Sequence, residues 1–410
     1  MKKNRKFIVL LVLFFFQGVF TNIHHPLMPS YVANLKIANY MFGFFFAFMN
    51  LGMLFGAPFW GSLADSGRKR LAVTLGFSIY GIFQLLFGLG NIFGPWLLSL
   101  MRFFSGFGIA AAFAVLASEV IIISEKENRA KNIAFGAAIL AIGGAFGQFL
   151  GGLMYTNKFL IRIFKTDQIF NVLLIQFILA LLLALYTVVF YQPEPILNNK
   201  NTEKPHFLSG FKQLKKLNLD LILFLLALSL ITIAAVNVDK YLDVYFINIL
   251  GYRENILGQF KMIVGLVAVL TSFLIVPFFM KIKKRLFVIS IFQALSAIII
   301  FVIFYETSFS FICYLYTLYL GYIVIKAINE PLEREYISNY SEKENMATIM
   351  GVRHSFYSLG TIIGPIFGAF LYDYQPKMVF YSSAIIFLLA IVLIFSSSIL
   401  RNKQAANLSK

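Results

Sequence analysis

Runs of about twenty or more apolar residues recur along the whole chain, and they limit its possible folds more than any other feature. Each run is long enough to cross about 30 Å of hydrocarbon as a helix. The 410 residues are 60% apolar and 13% charged, whereas soluble globular proteins are about 45–50% apolar. The runs lack the apolar–polar alternation of membrane β-strands. Because backbone groups in lipid must be hydrogen-bonded within the protein, we predict an all-α membrane protein.

Twelve membrane spans follow from these runs, six on each side of a polar connection. The first run, which begins at Phe7, is too long for the apolar core of a signal peptide, so we expect it to be retained. An even number of spans places both termini on the same side of the membrane. The predicted spans are 7–31, 38–60, 71–92, 95–122, 131–156 and 169–191, followed by 220–248, 256–280, 286–305, 308–330, 346–372 and 378–400.

An internal repeat with an offset of 217 residues divides the chain into two related parts. The letters SEKEN at 124–128 return at 341–345, and a ladder of glycines four residues apart returns with them. An offset this long indicates two homologous halves rather than a solenoid. Such glycines let two helices pack closely, and a smooth seam also lets one bundle rock against another. The ladders contain Gly143, Gly147 and Gly151 in the first half, and Gly360, Gly364, Pro365 and Gly368 in the second.

The repeat and the spans predict two six-helix bundles with a linker between them. We assign residues 1–192 to the first bundle, 193–218 to the linker and 219–410 to the second bundle. The linker is polar at its start (PEPILNNKNTEKPH), while 207–219 has the pattern of an amphipathic helix on the membrane surface. The loop 156–170 has a similar pattern, although an ordinary solvated loop fits it equally well.

The net charge of +17 is distributed in a way that indicates membrane orientation rather than nucleic-acid binding. One orientation places 24 of the 35 lysines and arginines in cytoplasmic segments and 6 in the opposite loops, which is the positive-inside bias. We therefore expect a multi-pass protein of the plasma (inner) membrane with both termini in the cytoplasm. The single cysteine, Cys313, excludes an intrachain disulfide.

Three stretches resemble motifs of the major facilitator superfamily. GSLADSGRKR at 61–70 resembles the loop between helices 2 and 3 of that family, and Arg102 in LSLMRFFSGFG resembles its helix 4 motif. GPIFG at 364–368 resembles the antiporter motif of the drug/proton branch, which is the branch that the chain resembles most. The resemblance implies twelve transmembrane helices in two pseudo-symmetric six-helix bundles, and secondary transport by alternating access.

The sequence departs from the family pattern at three positions. Only Ser66 separates Asp65 from the following glycine, where the family has two residues. Gln148 stands in the first ladder where the second has proline. Helix 1 lacks the acid that drug/proton antiporters often carry there, and offers two histidines instead.

The loop at 61–70 is predicted to act as a conformational latch. An acid there can lie against the N-terminus of a neighbouring helix or pair with an adjacent basic residue. The resemblance implies that this latch stabilises the outward-open state. The latch residues are Gly61, Asp65, Gly67, Arg68, Lys69 and Arg70.

Helices 1, 4, 7 and 10 line the central cavity in this family, and polar residues concentrate in the corresponding spans of this chain. A charge at mid-bilayer costs about 2.5–3.5 kcal/mol on insertion scales, so intramembrane ionisable residues are candidates for function. The predicted substrate and proton pathway contains Gln17, Thr21, His24, His25, Arg102, Glu119, Asn237, Asp239, Asp243, Lys326 and Glu330.

Each of these candidates has a structural alternative. Arg102 either takes part in transport or packs helices together through backbone carbonyls. One of Asp239 and Asp243 binds a proton or substrate, or one of them pairs with Lys240 or with Lys261 of helix 8. The histidines either couple to protons, which imidazole binds near neutral pH, or lie at the membrane interface. Glu119, Lys326 and Glu330 form a gate, or they mark solvated helix ends.

The function that fits best is proton-coupled export of a hydrophobic or amphipathic small molecule. Alternatives are a lipid or glycolipid transporter, a proton-coupled nutrient symporter, and a membrane receptor or scaffold that has lost transport. The chain has no GxxxxGK[ST] motif for ATP, and no metal-ligand cluster or nucleophile–base spacing typical of an enzyme. We expect a monomer without a cofactor or a metal, surrounded by membrane lipids, with a small-molecule or lipid substrate, protons as the coupling ion and no nucleic-acid partner.

Overall fold

The structure, a computed structural model, describes residues 2–125, 128–157, 168–194, 218–305, 311–338 and 346–408. Within these ranges the protein is helical and contains no β-strand. The first six long helices are α1 Lys2–Asn22, α2 Met41–Leu63, α3 Lys69–Phe87, α4 Pro95–Ile123, α5 Arg129–Tyr155 and α6 Gln168–Phe190. The second six are α7 Leu219–Asn248, α8 Glu254–Leu274, α9 Arg285–Tyr305, α10 (Phe311–Tyr314, the π-helical turn Leu315–Tyr319 and Leu320–Ser338), α11 Met346–Tyr374 and α12 Met378–Leu408.

The helices are long and apolar enough to cross a membrane. Eleven such stretches occur in the described part of the chain, and one of them, Met41–Phe87, contains 47 residues. That stretch comprises both α2 and α3, so the twelve predicted spans correspond to the twelve long helices. The predicted amphipathic segments fall mostly outside the described residues, which include only 218–219 of the segment 207–219 and 156–157 and 168–170 of the segment 156–170.

The chain reverses direction between α2 and α3. Their contacts with α4 show this, since α2 runs parallel to α4 and α3 runs antiparallel to it. Contacts of α2 advance along α4, whereas contacts of α3 go back along it. The contacts are Gly52 with Phe103 and Gly56 with Phe107 for α2, and Gly76 with Ala111 and Tyr80 with Gly108 for α3. The reversal is made at Gly67, whose φ of +87° is a backbone conformation that glycine adopts without steric cost.

The first predicted span, 7–31, is not one continuous helix. α1 ends at Asn22, and a 3₁₀ turn, His25–Leu27, and a short helix, Met28–Asn34, follow it. Pro26 and Pro29 cause the break, since proline has no N–H to donate and its ring clashes with the preceding turn.

The two glycine ladders form equivalent seams, one between α1 and α5 and one between α7 and α11. A Cβ added at any of these glycines would collide with, or press against, the facing helix. The facing residues are Phe15, Val19 and Ile23 for Gly143, Gly147 and Gly151, and Thr232, Ile233 and Asn237 for Gly360, Gly364 and Gly368. Thr232 lies 217 residues after Phe15, which is the offset of the sequence repeat. The same close helix pair therefore occurs once in each half of the chain.

The described contacts group the chain into two compact units. Unit 1 contains Met1–Phe207 and Asp243–Leu266, and unit 2 contains Leu208–Leu242 and Val267–Lys410. The predicted division into 1–192, 193–218 and 219–410 follows the sequence repeat rather than these contacts, and it stays a prediction. The core of unit 1 packs Phe20 of α1 against Phe77 and Tyr80 of α3, with ring centroids 5.5 and 5.2 Å apart.

Candidate functional site

A cavity of about 150 Å³ lies among the helices of unit 2. Five helices contribute to its wall, so the site is built on a scaffold of packed helices rather than on a loop. Small molecules usually bind in concave sites of this kind, with a few polar groups among apolar ones. The wall consists of Ile231, Thr232, Ala235, Val236 and Asp239 of α7, Gln293 and Ser296 of α9, Tyr322, Lys326, Asn329, Glu330 and Glu333 of α10, Tyr357 of α11 and Phe387 of α12.

An ion pair between α7 and α10 forms part of this wall. Lys326 Nζ donates to Asp239 Oδ2, and the hydroxyl of Tyr319 donates to Asp239 Oδ1 at 3.2 Å. The side chains of Lys326 and Asp239 are 41% and 26% exposed, so a molecule in the cavity can reach both. The sequence predicted both residues for the pathway, but it did not predict that they pair with each other.

Three buried polar atoms on the wall have no hydrogen-bond partner among the described residues. They are Tyr322 Oη, Gln293 Nε2 and Asn329 Oδ1. Leaving a buried polar atom unpaired costs about 1–3 kcal/mol, so such atoms are usually satisfied by water or by a ligand. Gln293 and Tyr322 were not among the predicted site residues, although a single amide inside the apolar ninth span was a usable signal.

α10 also presents two glutamates to the cavity. Glu330 is exposed and accepts a hydrogen bond from Arg334 at 2.5 Å. Glu333 is buried, and the sequence analysis did not single it out because the predicted tenth span ended at residue 330. The helix instead continues through Pro331 to Ser338. Lys326, Glu330 and Glu333 are spaced i, i+4, i+7 on one helix face, and this spacing was the signal that could have found Glu333.

Two predicted residues of α7 do not line this cavity. The buried amide of Asn237 lies against Gly364 and Gly368 in the seam with α11. Asp243 belongs to unit 1, where it forms an ion pair with Lys261 of α8 at 2.5 Å. Asp239 and Asp243 lie one helical turn apart, and yet they pair with lysines of different helices.

Arg102 lies at the centre of a buried polar network in unit 1. Its Nη1 donates to Gln84 Oε1 at 2.8 Å and contacts His24 Nε2 at 3.0 Å. Phe46 and Phe87 cover the guanidinium, with their ring centres 5.7 and 5.2 Å from its central carbon. Nη2 has no hydrogen-bond partner in the described part of the chain. Arg102 thus connects α4 to α3 and to the turn after α1 through neutral partners.

The contact with Arg102 sets the hydrogen-bond role of His24 Nε2. An arginine can only donate hydrogen bonds, so Nε2 of His24 accepts and carries no proton. Gln176 of α6 contacts the other ring nitrogen at 3.2 Å and donates to the hydroxyl of Tyr80 at 2.7 Å. A proton on Nε2 would bring two cations into contact. His24 can therefore act as a proton carrier only if Arg102 moves away.

The other candidates near α1 have local contacts. The hydroxyl of Thr21 donates to the carbonyl oxygen of Gln17 at 2.7 Å. Both polar side-chain atoms of Gln17 are buried without a partner among the described residues. The half-buried ring of His25 stacks on Phe46, with centroids 5.5 Å apart.

Lys69 and Glu119 pair with each other in a second polar cluster of unit 1. Their side chains are 5% and 2% exposed, and Lys69 Nζ lies 2.8 Å from Glu119 Oε2. Glu119 Oε1 also accepts from the backbone N–H of Glu194 at 2.5 Å. Arg70 Nε donates to the backbone carbonyl of Tyr191 at 2.8 Å. These contacts attach the segment after α6 to the ends of α3 and α4.

The remaining latch residues are open to solvent. Asp65 and Arg68 are exposed and form no ion pair with another described residue. A Cβ added at Gly61 would meet nothing within 4 Å, and Gly67 is required by its positive φ rather than by close packing. The latch function therefore rests on the family resemblance alone.

The described residues contain no group of three or more His, Cys, Asp or Glu side chains that could hold a metal ion. Cys313 is exposed in α10. The contacts that the unit 2 cavity offers to a molecule are hydrogen bonds, ion pairs and packing against aromatic rings.

Comparison with known sequences gives a family and a set of distant relatives. The family model of the Major Facilitator Superfamily matches residues 10–329 and 324–409. The Quinolone resistance protein NorA of Staphylococcus aureus (strain COL) is 22% identical over 377 residues, which are 90% of this chain and 90% of that protein. The Synaptic vesicle glycoprotein 2C of Rattus norvegicus is 31% identical over 119 residues, which are 29% of this chain and 16% of that protein.

Comparison with solved structures gives the same fold. A bacterial homologue of the human lysosomal transporter Spinster, in an inward-facing and occupied conformation, superposes with a TM-score of 0.79 at 13% identity over 96% of both chains. The D-xylose–proton symporter superposes with a TM-score of 0.71 at 15% identity, over 95% of this chain and 96% of that one. At such low identity these similarities establish the fold and nothing finer.

Proposed function

Because this chain belongs to the major facilitator superfamily, a family of membrane transporters, we propose that it exports amphipathic or hydrophobic small molecules in exchange for protons. The similarity to NorA, which is named for quinolone resistance, extends over 90% of both chains and supports export of a drug-like molecule. The antiporter-like glycine ladders support the same direction of transport.

The observation that carries this proposal is the cavity of unit 2. Its wall combines unsatisfied polar atoms with the aromatic rings of Tyr322, Tyr357 and Phe387. The polar atoms can orient a ligand by hydrogen bonds, while the rings pack against its apolar part. A molecule with one polar end and one apolar body fits this combination better than a fully polar solute does.

The ion pair Asp239–Lys326 can change when a ligand binds in this cavity. A ligand that binds the carboxylate of Asp239 weakens its attraction for the ammonium of Lys326. Because the two residues belong to different helices, a change in this contact alters how α7 and α10 hold together. We infer that binding is coupled to helix movement in unit 2 through this pair.

Alternating access also requires helices that can move as a bundle. The close seams α1–α5 and α7–α11 tie helices into pairs through backbone contacts at Gly147 and Gly364. Transporters built from two related halves work by rocking one rigid helix bundle against the other around a central site.

The basic residues support an orientation with both termini in the cytoplasm. Arg68, Lys69 and Arg70 connect α2 and α3, and they belong to the majority set of the positive-inside bias. With the termini inside, export moves a substrate out of the cytoplasm across the plasma membrane.

Transport by the purified protein in proteoliposomes with an imposed pH gradient tests the proposal. We expect a fluorescent quinolone to move against its own gradient when protons flow the opposite way. Asp239→Asn should reduce this flux about tenfold or more, since asparagine cannot carry the charge that pairs with Lys326. Asp373→Asn is the matched control, because Asp373 is an exposed aspartate that does not line the cavity.

Two results would count against the proposal. Flux that is indifferent to the pH gradient would exclude proton coupling. Unchanged flux after replacement of both Asp239 and Arg102 would indicate a receptor or scaffold with the fold of a transporter.

A further inference from the structure

Glu333 of α10 is a buried carboxylate to which the transport proposal gives no role. The residue is 4% exposed and lines the unit 2 cavity. Within the described ranges it forms no hydrogen bond and no contact ion pair. A carboxylate that faces a binding cavity without a contact partner calls for an explanation.

The other acids of this region are already compensated by a cation in contact. Asp239 pairs with Lys326, and Glu330 pairs with Arg334. In each of these pairs the cation in contact balances the negative charge of the carboxylate. Glu333 differs from both in its chemical surroundings, although it lies on the same helix as Glu330.

Burial makes a bare charge on Glu333 expensive. An ionised carboxylate removed from water costs several kcal/mol unless a proton, a hydrogen-bond donor or a cation compensates it. The cation that acts on Glu333 most strongly is Arg353 of α11, which is 6% exposed. Nε and Nη2 of Arg353 are buried and have no hydrogen-bond partner in the described part of the chain. A buried carboxyl group and a buried guanidinium thus lie on packed helices without touching.

We propose that Glu333 carries the coupling proton and that Arg353 compensates for its negative charge once the proton has left. This inference rests on the proton-coupled transport proposed above. On release the O–H bond of the carboxyl group breaks, the electron pair stays on the carboxylate, and the proton passes to water. The ionised Glu333 then attracts Arg353, which pulls α10 and α11 together.

No other charged or titratable group around Glu333 in the described residues is available to compensate its negative charge as Arg353 is. Lys326 is held by Asp239 of α7, and Arg334 is held by Glu330. Tyr322 and Tyr357 contribute neutral hydroxyl groups. α9 and α12 add only uncharged side chains to the cavity wall. Among the described cations near Glu333, Arg353 is the one without a carboxylate in contact.

Glu333→Gln separates proton coupling from substrate handling, because glutamine keeps the size of the side chain and cannot release a proton. The two measurements are gradient-driven transport of a fluorescent quinolone and its exchange across the membrane without any pH gradient. We expect Glu333→Gln to lose about tenfold or more of the gradient-driven flux and to keep exchange within about twofold of the original rate. Glu335→Gln is the matched control, since Glu335 lies on the same helix and outside the cavity wall, where it pairs with Arg285.

The results distinguish failure of this inference from failure of the proposed function. Gradient-driven flux that survives Glu333→Gln would overturn the role of Glu333 while leaving proton coupling intact. Loss of both exchange and gradient-driven flux in Glu333→Gln would also overturn the role of Glu333 as proton carrier, because Glu333 would then be needed for substrate binding or for helix movement. If the unsubstituted protein shows no gradient-driven flux, the proposed function itself fails.

A chemical measurement on the unsubstituted protein covers the case in which Glu333→Gln does not fold. Dicyclohexylcarbodiimide adds to protonated carboxyl groups in apolar surroundings, and mass spectrometry of peptides locates the adduct. We expect modification of Glu333 that decreases as the pH is raised, and little modification of Asp239 beside Lys326. An unmodified Glu333, or modification that does not depend on pH, would overturn the inference.

Discussion

Arg102 is a buried cation whose described hydrogen-bond partners are all neutral. It donates to Gln84 and contacts His24, and two phenylalanine rings cover it. Drug/proton antiporters often carry an acid in helix 1, and this chain carries His24 near that place. The hydrogen-bond chemistry makes His24 an acceptor for Arg102. In the observed arrangement His24 thus accepts a hydrogen bond that positions Arg102, and it does not act as a proton carrier.

The substitutions His24→Gln and His24→Leu test this assignment. Glutamine offers an oxygen that can accept from Arg102, so we expect His24→Gln to keep transport and its pH dependence. Leucine leaves the buried guanidinium without that acceptor, which should lower the free energy of unfolding by about 1–3 kcal/mol. Unfolding in mixed detergent micelles and flux measured across a range of pH values are the two readouts. A changed pH profile in His24→Gln would show that the imidazole does bind the coupling proton.

Charged residues inside the spans could be recognised from the sequence, but their partners could not. Asp239 and Lys326 are 87 residues apart in the chain, and apolar runs do not encode how two helices are rotated against each other. The expected partners were Lys240 and Lys261, which are close to the two aspartates in sequence, and the structure pairs Asp243 with Lys261. Glu333 escaped notice because Pro331 and its charged neighbours are typical of the end of a span.

The ladder glycines of this protein let the facing helices approach closely. The ladder glycines of α5 meet backbone atoms of α1, whereas those of α11 meet the backbone of Ile233 and the side chains of Thr232 and Asn237. Helices in lipid gain little from hiding apolar surface, so close van der Waals contact at small residues is what holds them together. The sequence predicted these seams from glycine spacing, and the structure identifies the helices that face them.

Gly151→Ala and Gly321→Ala should have opposite effects on stability. A Cβ at residue 151 would overlap the carbonyl oxygen of Ile23, so the helices must separate, at a cost of about 1–3 kcal/mol. A Cβ at residue 321 of α10 would meet nothing within 4 Å, and alanine there should stabilise the helix by about 0.5–1 kcal/mol. Thermal unfolding of the two purified variants measures both effects. Equal midpoints would contradict the close packing of α1 and α5.

The presence of each long helix could be predicted from the sequence, whereas the breaks within helices could not. The first predicted span ran through residue 31, but Pro26 and Pro29 divide that stretch into α1, a turn and a short helix. Pro331 and Pro365 lie inside continuous helices instead. A proline removes one backbone donor in each case, and packing against neighbouring helices decides whether the helix continues.

The 217-residue repeat connects the sequence to the architecture of the whole protein. The first glycine of each ladder meets the facing helix at an equivalent place, Phe15 for Gly143 and Thr232 for Gly360. Duplication therefore accounts for the same close helix pair in both halves of the chain. The binding chemistry is not duplicated, because Arg102 in the first half corresponds to Tyr319 in the second, which donates to Asp239. Each half thus keeps the packing pattern while its polar residues have diverged.

Labelling of single cysteines tests the arrangement of the whole chain in the membrane. Cys313→Ser removes the single cysteine and provides the background. Arg68→Cys places a thiol in the exposed turn between α2 and α3, and Ile92→Cys places one between α3 and α4, where Ile92 is 72% exposed. The positive-inside bias puts the first turn in the cytoplasm, and α3 crosses the bilayer to bring the second outside. In right-side-out vesicles, a membrane-impermeant maleimide should label Ile92→Cys at once and Arg68→Cys only after permeabilisation. The Cys313→Ser background should stay unlabelled throughout, and the reverse order of labelling would place both termini outside.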